Sequence, residues 1–348
     1  MATKWNLTAP KGKVIPAAGY RREQNCPSCS NKTRKRICPH CHQDLPHTIG
    51  EFRNYIIAVI GAKGAGKSHY LPALIEQIKN GIGPNLGLLL EPLNDDTIKR
   101  YRRDFYGPVY TDHRTINVTM SAITSVDVRF PLVFSLLFTS GKRGGGRRIN
   151  RAVTLAFFDT AGEDLHDPDV MAVVNKYIYR SDGIILLLDP LQLDGVRSRI
   201  PPSVPVPVKD HDTSDIIIRV SNLIRAGRFI PQDKPIDVPL AIAVSKIDAV
   251  ETLLGSQSQI PPGSDHAGGF DLADTRAVDA EMQAHISDWN SRYLIDQVQV
   301  HFPRHAFFAL SALGESPKGN TLAPVFPKRV EDPFLWLLHV NGLIKPKK

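Results

Sequence analysis

Tyr55-Ile-Ile-Ala-Val-Ile60, followed directly by Gly61-Ala-Lys-Gly-Ala-Gly-Lys-Ser68, decides the fold of this 348-residue chain. The first six residues are apolar and rich in β-branched side chains, the signature of a strand buried on both faces. The next eight fit GxxxxGK[ST] in full. Leu71, Leu74, Ile75 and Ile78 then recur at helical spacing. A glycine-rich turn between a buried strand and a helix is the context in which backbone N–H groups and a helix N-terminus converge on phosphate. Gly61, Gly64 and Gly66 let the main chain curl tightly, Lys67 reaches the terminal phosphates, and Ser68 offers a hydroxyl to Mg²⁺. The expected nucleotide cradle therefore comprises Gly61, Ala62, Lys63, Gly64, Ala65, Gly66, Lys67, Ser68 and the adjacent His69.

Working outward, three more apolar runs end in polar signatures. Ala152–Phe158 ends in Asp159-Thr-Ala-Gly162-Glu163, Pro239–Val244 in Ser245-Lys246-Ile247-Asp248, and Arg304–Leu310 in Ser311-Ala312-Leu313. Gly183–Asp189 reads as a further buried strand. An acid at the end of a second buried strand can hold Mg²⁺ through water, so Asp159 joins Ser68 as a magnesium residue. Gly162 can present its N–H to the γ-phosphate and so sense it.

In this order the motifs GAKGAGKS, DTAG, SKID and SAL resemble those of the Ras-like, translation-factor-related phosphate-loop GTPases, over about residues 53–343. The resemblance implies an α/β fold: a mainly parallel sheet with helices on both faces and GTP or GDP at the C-terminal ends of its strands. It also implies that Asp248 takes guanine's ring N–H and exocyclic amine, that Lys246 packs over the base, and that Ala312, between Ser311 and Leu313, offers its N–H to the guanine carbonyl. Adenine lacks the two donors that Asp248 needs, and a site built for such donors rejects an analogue lacking them by about 10⁴. The implied activity is GTP hydrolysis, with Lys67, Gly162 and Glu163 as the catalytic set.

Three departures from the pattern matter. Ser245 stands where Asn or Thr is usual. Glu163 stands where a Gln usually orients the attacking water, which implies slow intrinsic hydrolysis. Lys63 replaces a usual Gly, and either lies over the γ-phosphate or points into solvent. The threonine of the first switch falls among Thr111, Thr115, Thr119, Thr124 and Thr139. Leu93–Tyr106 reads as an extra helix capped at Asn94, and Gly141–Arg148 as a basic hairpin tip whose Arg143, Arg147 or Arg148 either serves a partner's site or is solvated. Residues 276–298 and 331–344 read as amphipathic helices. Met282, Ile286, Trp289 and Tyr293 form the apolar stripe of the first.

All four cysteines lie in Cys26-Pro-Ser-Cys29 and Cys38-Pro-His-Cys41. Two CxxC pairs at this spacing predict a closed, structural tetrahedral Zn²⁺ site in a ribbon or knuckle. Residues 1–50 carry nine Lys/Arg against Glu23 and Asp44 alone, so nearly all of the net charge of +8 sits there. That segment suits RNA or DNA, an anionic surface or an acidic protein. The spacer between the cysteine pairs has no aromatic residue on which a base could stack. The composition, 42% hydrophobic and 22% charged, is that of a soluble globular protein. There is no run of about 18 apolar residues, so a cytoplasmic chain without a membrane span is expected.

The expected organisation is a basic arm over 1–22, a zinc module over 23–48, and a nucleotide domain over 51–344. That domain carries insertions near 85–115, 141–150, 197–212 and 255–275. A Cys₄ module ahead of an elaborated GTPase also resembles the double-GTPase group of bacterial conflict and signalling systems, which implies a protein effector or a second GTPase as partner. The alternative class is a GTPase whose zinc module and arm bind nucleic acid. A third, an ATPase, is distinguished by competition of GTP against ATP.

Overall fold

The computed structural model describes residues 23–26, 29–33, 36–37, 44–45, 53–116, 131–141, 147–159, 176–201, 204, 206–208, 213–261, 263, 266 and 268–347. Two short antiparallel hairpins come first. β1 (Gln24–Asn25) pairs with β2 (Lys32–Thr33), and β3 (Arg36–Ile37) with β4 (Asp44–Leu45). In sequence the first hairpin brackets Cys26 and Cys29. The second brackets Cys38 and Cys41, which lie outside the described residues.

The rest of the chain builds one seven-stranded sheet. Its strands are β5 (Arg53–Gly61), β6 (Leu88–Pro92), β7 (Leu132–Gly141), β8 (Arg147–Asp159), β9 (Gly183–Leu188), β10 (Leu240–Val244) and β11 (His305–Ala309). The spatial order is β11-β10-β9-β5-β8-β7-β6. β11, β10, β9, β5 and β8 run parallel; at one side β7 pairs antiparallel with β8, and β6 antiparallel with β7. This is the α/β fold class that the motif order implies. The hairpin between β7 and β8 is also present, with its tip at 142–146 outside the described residues.

Alternation along the central strands explains the layering. Tyr55, Ile57 and Val59 of β5 face one apolar cluster, while Ala58 and Ile60 face the other. β10 does the same with Ala241 and Ala243 on the first side and Leu240, Ile242 and Val244 on the second. Both faces are therefore apolar and both must be covered by helices. Helices Lys67–Glu76 and Asp332–Val340 cover the first face, and helices Thr213–Arg228, Leu272–Asp288 and Arg292–His301 the second. The nine-residue Asp332–Val340 helix is too short to hold by propensity. It buries Phe334, Leu335, Trp336, Leu337 and Leu338, each contributing about 1.5–3 kcal/mol of transfer free energy. The small side chains of Ala241 and Ala243 leave room for that bulk against β10.

The extra helix after Leu93 is observed. Asn94 Oδ1 accepts the Thr97 N–H at 2.7 Å and caps Asp95–Arg100, which continues as a wider helical stretch over Tyr101–Thr111. The single helix expected over 276–298 is instead two. Leu272–Asp288 stops at Trp289, Asn290 takes a left-handed φ of 57°, and Arg292–His301 starts in a new direction. Met282, Ile286 and Trp289 are buried as the stripe predicts. Tyr293, beyond the break, is exposed, because the turn at Asn290 carries it out of phase. Among the described residues, no helix is long and apolar enough to cross a membrane.

Candidate functional site at the C-terminal edge of the sheet

Because β8, β5, β9, β10 and β11 are parallel, their C-termini meet at one edge. The registers make this concrete: Val59 lies opposite Asp159, Gly61 opposite Leu187, and Val244 opposite both Leu188 and Ala309. The phosphate loop, Asp159, Ser245–Asp248 and Ser311–Leu313 follow directly from those positions. Three of the signatures and the first residue of the fourth, Asp159, thus emerge along one rim. Of Asp159 only the backbone position is described, and Gly162 and Glu163 lie outside the described residues.

The loop has the shape its glycines permit. A Cβ on Gly61 would lie 2.5 Å from the Leu187 carbonyl oxygen, so only glycine lets β5 turn off so close to β9. Gly66 adopts φ 90°, ψ 14° immediately before the Lys67–Glu76 helix, a left-handed conformation that side chains resist. Lys67 is buried and its Nζ donates to the carbonyls of Gly61 and Ala62, both at 2.9 Å. The ammonium is thus folded back onto carbonyls of its own loop. Ala65 is buried, and Lys63 and Gly64 are exposed.

His69 has a hydrogen-bond partner within the protein. Its Nε2 accepts the Ile116 N–H at 3.1 Å, so it anchors the chain that leads into 117–130. Burial, and then the positive charge of Lys246, hold its pKa down at about 4. The imidazole is therefore neutral, as an acceptor must be, and Lys246 lies within electrostatic reach of the phosphate-loop helix.

The Ser245–Asp248 segment is built around an acid that motif reading passes over. Asp189, at the end of β9, has a side chain 1% exposed. Its Oδ2 accepts Lys246 Nζ at 2.7 Å and its Oδ1 accepts the Leu191 N–H at 3.0 Å. A buried carboxylate needs such partners. The sequence does carry the signal: one acid closing an otherwise apolar strand. Lys246 itself has a left-handed backbone, φ 50°. Ser245 is buried, with its hydroxyl donating to the Leu188 carbonyl at 3.2 Å, so its smaller side chain serves strand-to-strand contact. Asp248 is half-buried and lines a cavity of about 350 Å³ with Ala249 and Gly314. Its carboxylate has no hydrogen-bond partner among the described residues.

Ser311 and Lys328 exchange both backbone hydrogen bonds, at 3.0 and 2.8 Å, and Ser311 Oγ accepts the Gly314 N–H at 2.8 Å. The Ala312 N–H makes no bond to another described residue. The following loop reaches across to the chain before residue 117: Thr115 N–H donates to the Asn320 carbonyl at 3.0 Å, and Leu322 N–H to that of His113 at 2.8 Å. The Thr115 hydroxyl bonds to the Asn320 side chain, and the Thr139 hydroxyl to the Gly87 carbonyl at 3.0 Å. Thr139 is thereby committed to the β6–β7 side of the sheet, away from the loop. Thr119 and Thr124 lie outside the described residues.

Of the zinc candidates, Cys26 and Cys29 are thiols, half-buried and exposed respectively, in a tight turn where Ser30 N–H donates to the Cys26 carbonyl at 2.8 Å. Among the described residues, one further group has metal-binding elements, the buried His266, Glu331 and Asp332. There His266 Nδ1 accepts the Asp271 N–H at 3.1 Å and Nε2 pairs with Asp332 Oδ1 at 2.9 Å. Arg329 bonds to Asp332 and Asp274 at 2.7–2.9 Å. Both imidazole nitrogens and both Asp332 carboxylate oxygens are engaged and a guanidinium sits beside them, which is the arrangement of a structural charge cluster.

No family model matches the chain. A protein described as an ESX-1 scaffolding and assembly protein, SaeC, from Mycolicibacterium smegmatis is 26% identical over 329 residues, spanning 88% of this chain and 80% of its own. The small GTPase Arl6 (BBS3) of Trypanosoma brucei, solved with the nucleotide analogue GppNp, aligns with 83% of this chain and 98% of its own at 14% identity. Its TM-score of 0.32 is too low to bear on function.

Proposed function

We propose that this protein is a guanine-nucleotide switch that binds GTP and GDP with Mg²⁺ at the C-terminal rim of its sheet and hydrolyses GTP slowly. One observation carries the reading. A phosphate loop and a half-buried carboxylate without a partner among the described residues, Asp248, stand at the ends of parallel strands two places apart in one sheet. The Asp248 carboxylate matches the two adjacent donors on guanine, and the open Ala312 N–H matches its carbonyl. Adenine would leave the carboxylate unsatisfied. Lys67, now bonded to loop carbonyls, is positioned to exchange them for phosphate oxygens. Ser68 and Asp159 would hold Mg²⁺, which neutralises phosphate charge when bound. Gly162 and Glu163 would serve γ-phosphate sensing and water activation.

The switch would couple the phosphate loop to the chain at 113–116, which His69 from the phosphate-loop helix and Asn320 and Leu322 from the guanine loop hold. A γ-phosphate that shifts these contacts would change the surface offered to a partner. We take that partner to be a protein, since a relative at 26% identity is described as a scaffolding and assembly protein. Residues 23–48 would form a Cys₄ zinc ribbon from Cys26, Cys29, Cys38 and Cys41, with each hairpin supplying one CxxC turn. The basic arm would supply contact to the same partner.

The test is equilibrium binding of fluorescent GDP, GTP and ATP analogues to the full chain with Mg²⁺. Guanine nucleotides should bind at least about 100-fold more tightly than ATP. Equal affinity for GTP and ATP would end the guanine reading.

A further inference from the structure

The insertion near 197–212 is wired into the base-reading rim. Arg197 Nη1 donates to the Leu191 carbonyl at 3.0 Å and to the Pro207 carbonyl at 2.8 Å, and Gln192 Nε2 donates to the Val208 carbonyl at 3.3 Å. Leu191 is the residue whose N–H donates to the capping carboxylate of Asp189, and Asp189 holds Lys246. A continuous polar path therefore runs from Lys246 through Asp189 and Leu191 to Arg197 and the far end of the insertion. Between the points that Arg197 and Pro207 fix, Val204 N–H donates to the Pro201 carbonyl at 3.0 Å and closes a turn. That turn places Pro201 and Val204 in the lining of the cavity that also holds Asp248, Ala249 and Gly314. The cavity lining thus combines Asp248 and the polar Glu251, Thr252, Glu315 and Ser316 with two apolar side chains, Pro201 and Val204, from an element outside the four nucleotide signatures. A planar ring edge rich in N–H donors fits such a space, since the carboxylates take the donors while Pro201 and Val204 offer the ring an apolar surface.

We propose that Pro201 and Val204 form the outer wall of the base site and that Arg197 is the positioning residue that holds this wall against Asp248. The inference rests on the guanine-nucleotide reading and extends it. It makes the insertion a determinant of base affinity and leaves phosphate binding to the loop alone.

The experiment measures GDP and inorganic pyrophosphate binding to the full chain, as wild type and as Val204→Arg and Arg197→Met. Val204→Arg should weaken GDP at least about tenfold by filling the cavity, and Arg197→Met about fivefold by releasing the wall. Pyrophosphate affinity should stay within about twofold in both, because Lys67 and the loop are untouched. GDP affinity unchanged in Val204→Arg would overturn the inference. If Val204→Arg also loses pyrophosphate, Val204→Trp decides the matter. Quenching of its added fluorescence by saturating unlabelled GDP supports a wall in contact with the base, and no quenching refutes it. A wild-type chain that binds pyrophosphate but shows no preference for GDP over ADP would instead remove the guanine reading itself.

Discussion

Asp248→Asn tests the chemistry of the rim at a single atom pair. In the structure the Asp248 carboxylate has no intramolecular partner among the described residues, so its replacement orphans no other group. Thermal stability should therefore shift by no more than about 0.5 kcal/mol, the usual range for substitutions away from buried networks. Binding should change far more. Two hydrogen bonds from guanine to a charged acceptor are worth about 1.5–3 kcal/mol each. Asparagine keeps an acceptor for one of these donors and loses the other, so about 1.5–3 kcal/mol is lost, which is about one to two powers of ten in affinity at 1.4 kcal/mol per decade. An asparagine amide offers one acceptor and a donor, which suits xanthine, whose ring carries N–H beside a carbonyl where guanine has N–H beside an amine. The assay is competition of GDP and xanthosine diphosphate against a fluorescent nucleotide, paired with a melting curve. Weaker GDP binding, stronger xanthosine diphosphate binding and an unchanged melting temperature are expected. Unaltered GDP affinity with a lowered melting temperature would refute the reasoning, because Asp248 would then be a structural residue.

Four other outcomes follow from particular contacts. Asp189→Asn keeps an oxygen for Leu191 N–H but loses the charge facing Lys246, so GDP affinity should fall severalfold while the chain stays folded, as read by the same competition assay and circular dichroism. His69, held near pKa about 4 against 6.5 when unfolded, binds fewer protons folded than unfolded; its contribution is present above about pH 6.5 and is lost as pH falls towards 4, on the order of 3 kcal/mol in all. Urea unfolding at pH 4.5 and 7 should therefore show a smaller loss for His69→Gln than for wild type, and equal losses would dismiss the linkage. Metal analysis of purified protein should find one zinc per chain, lost in Cys26→Ser together with Cys41→Ser. Single-turnover hydrolysis by Glu163→Gln should differ from wild type, and an identical rate would remove Glu163 from the reaction.

The phosphate loop, the apolar strands and the polar signatures at their ends were legible in the sequence because each is a contiguous pattern whose physics is local. A buried strand must be apolar on successive residues, a tight turn around an anion must be glycine-rich, and a helix needs a cap such as Asn94. Runs such as Gly183–Leu188 and Leu240–Val244 even announce that both faces of the sheet are covered. What only the tertiary structure decided are pairings between residues remote along the chain: Lys246 on Asp189, Ile116 on His69, Asn320 on Thr115, Pro201 and Val204 beside Asp248. The break at Asn290 belongs there too, since helical periodicity runs on through a residue that packing turns left-handed. Hydrogen bonds and cavity walls of this kind depend on where strand order and crossovers bring each end, and strand order is set by the packing of all the helices at once, which no single stretch of sequence encodes.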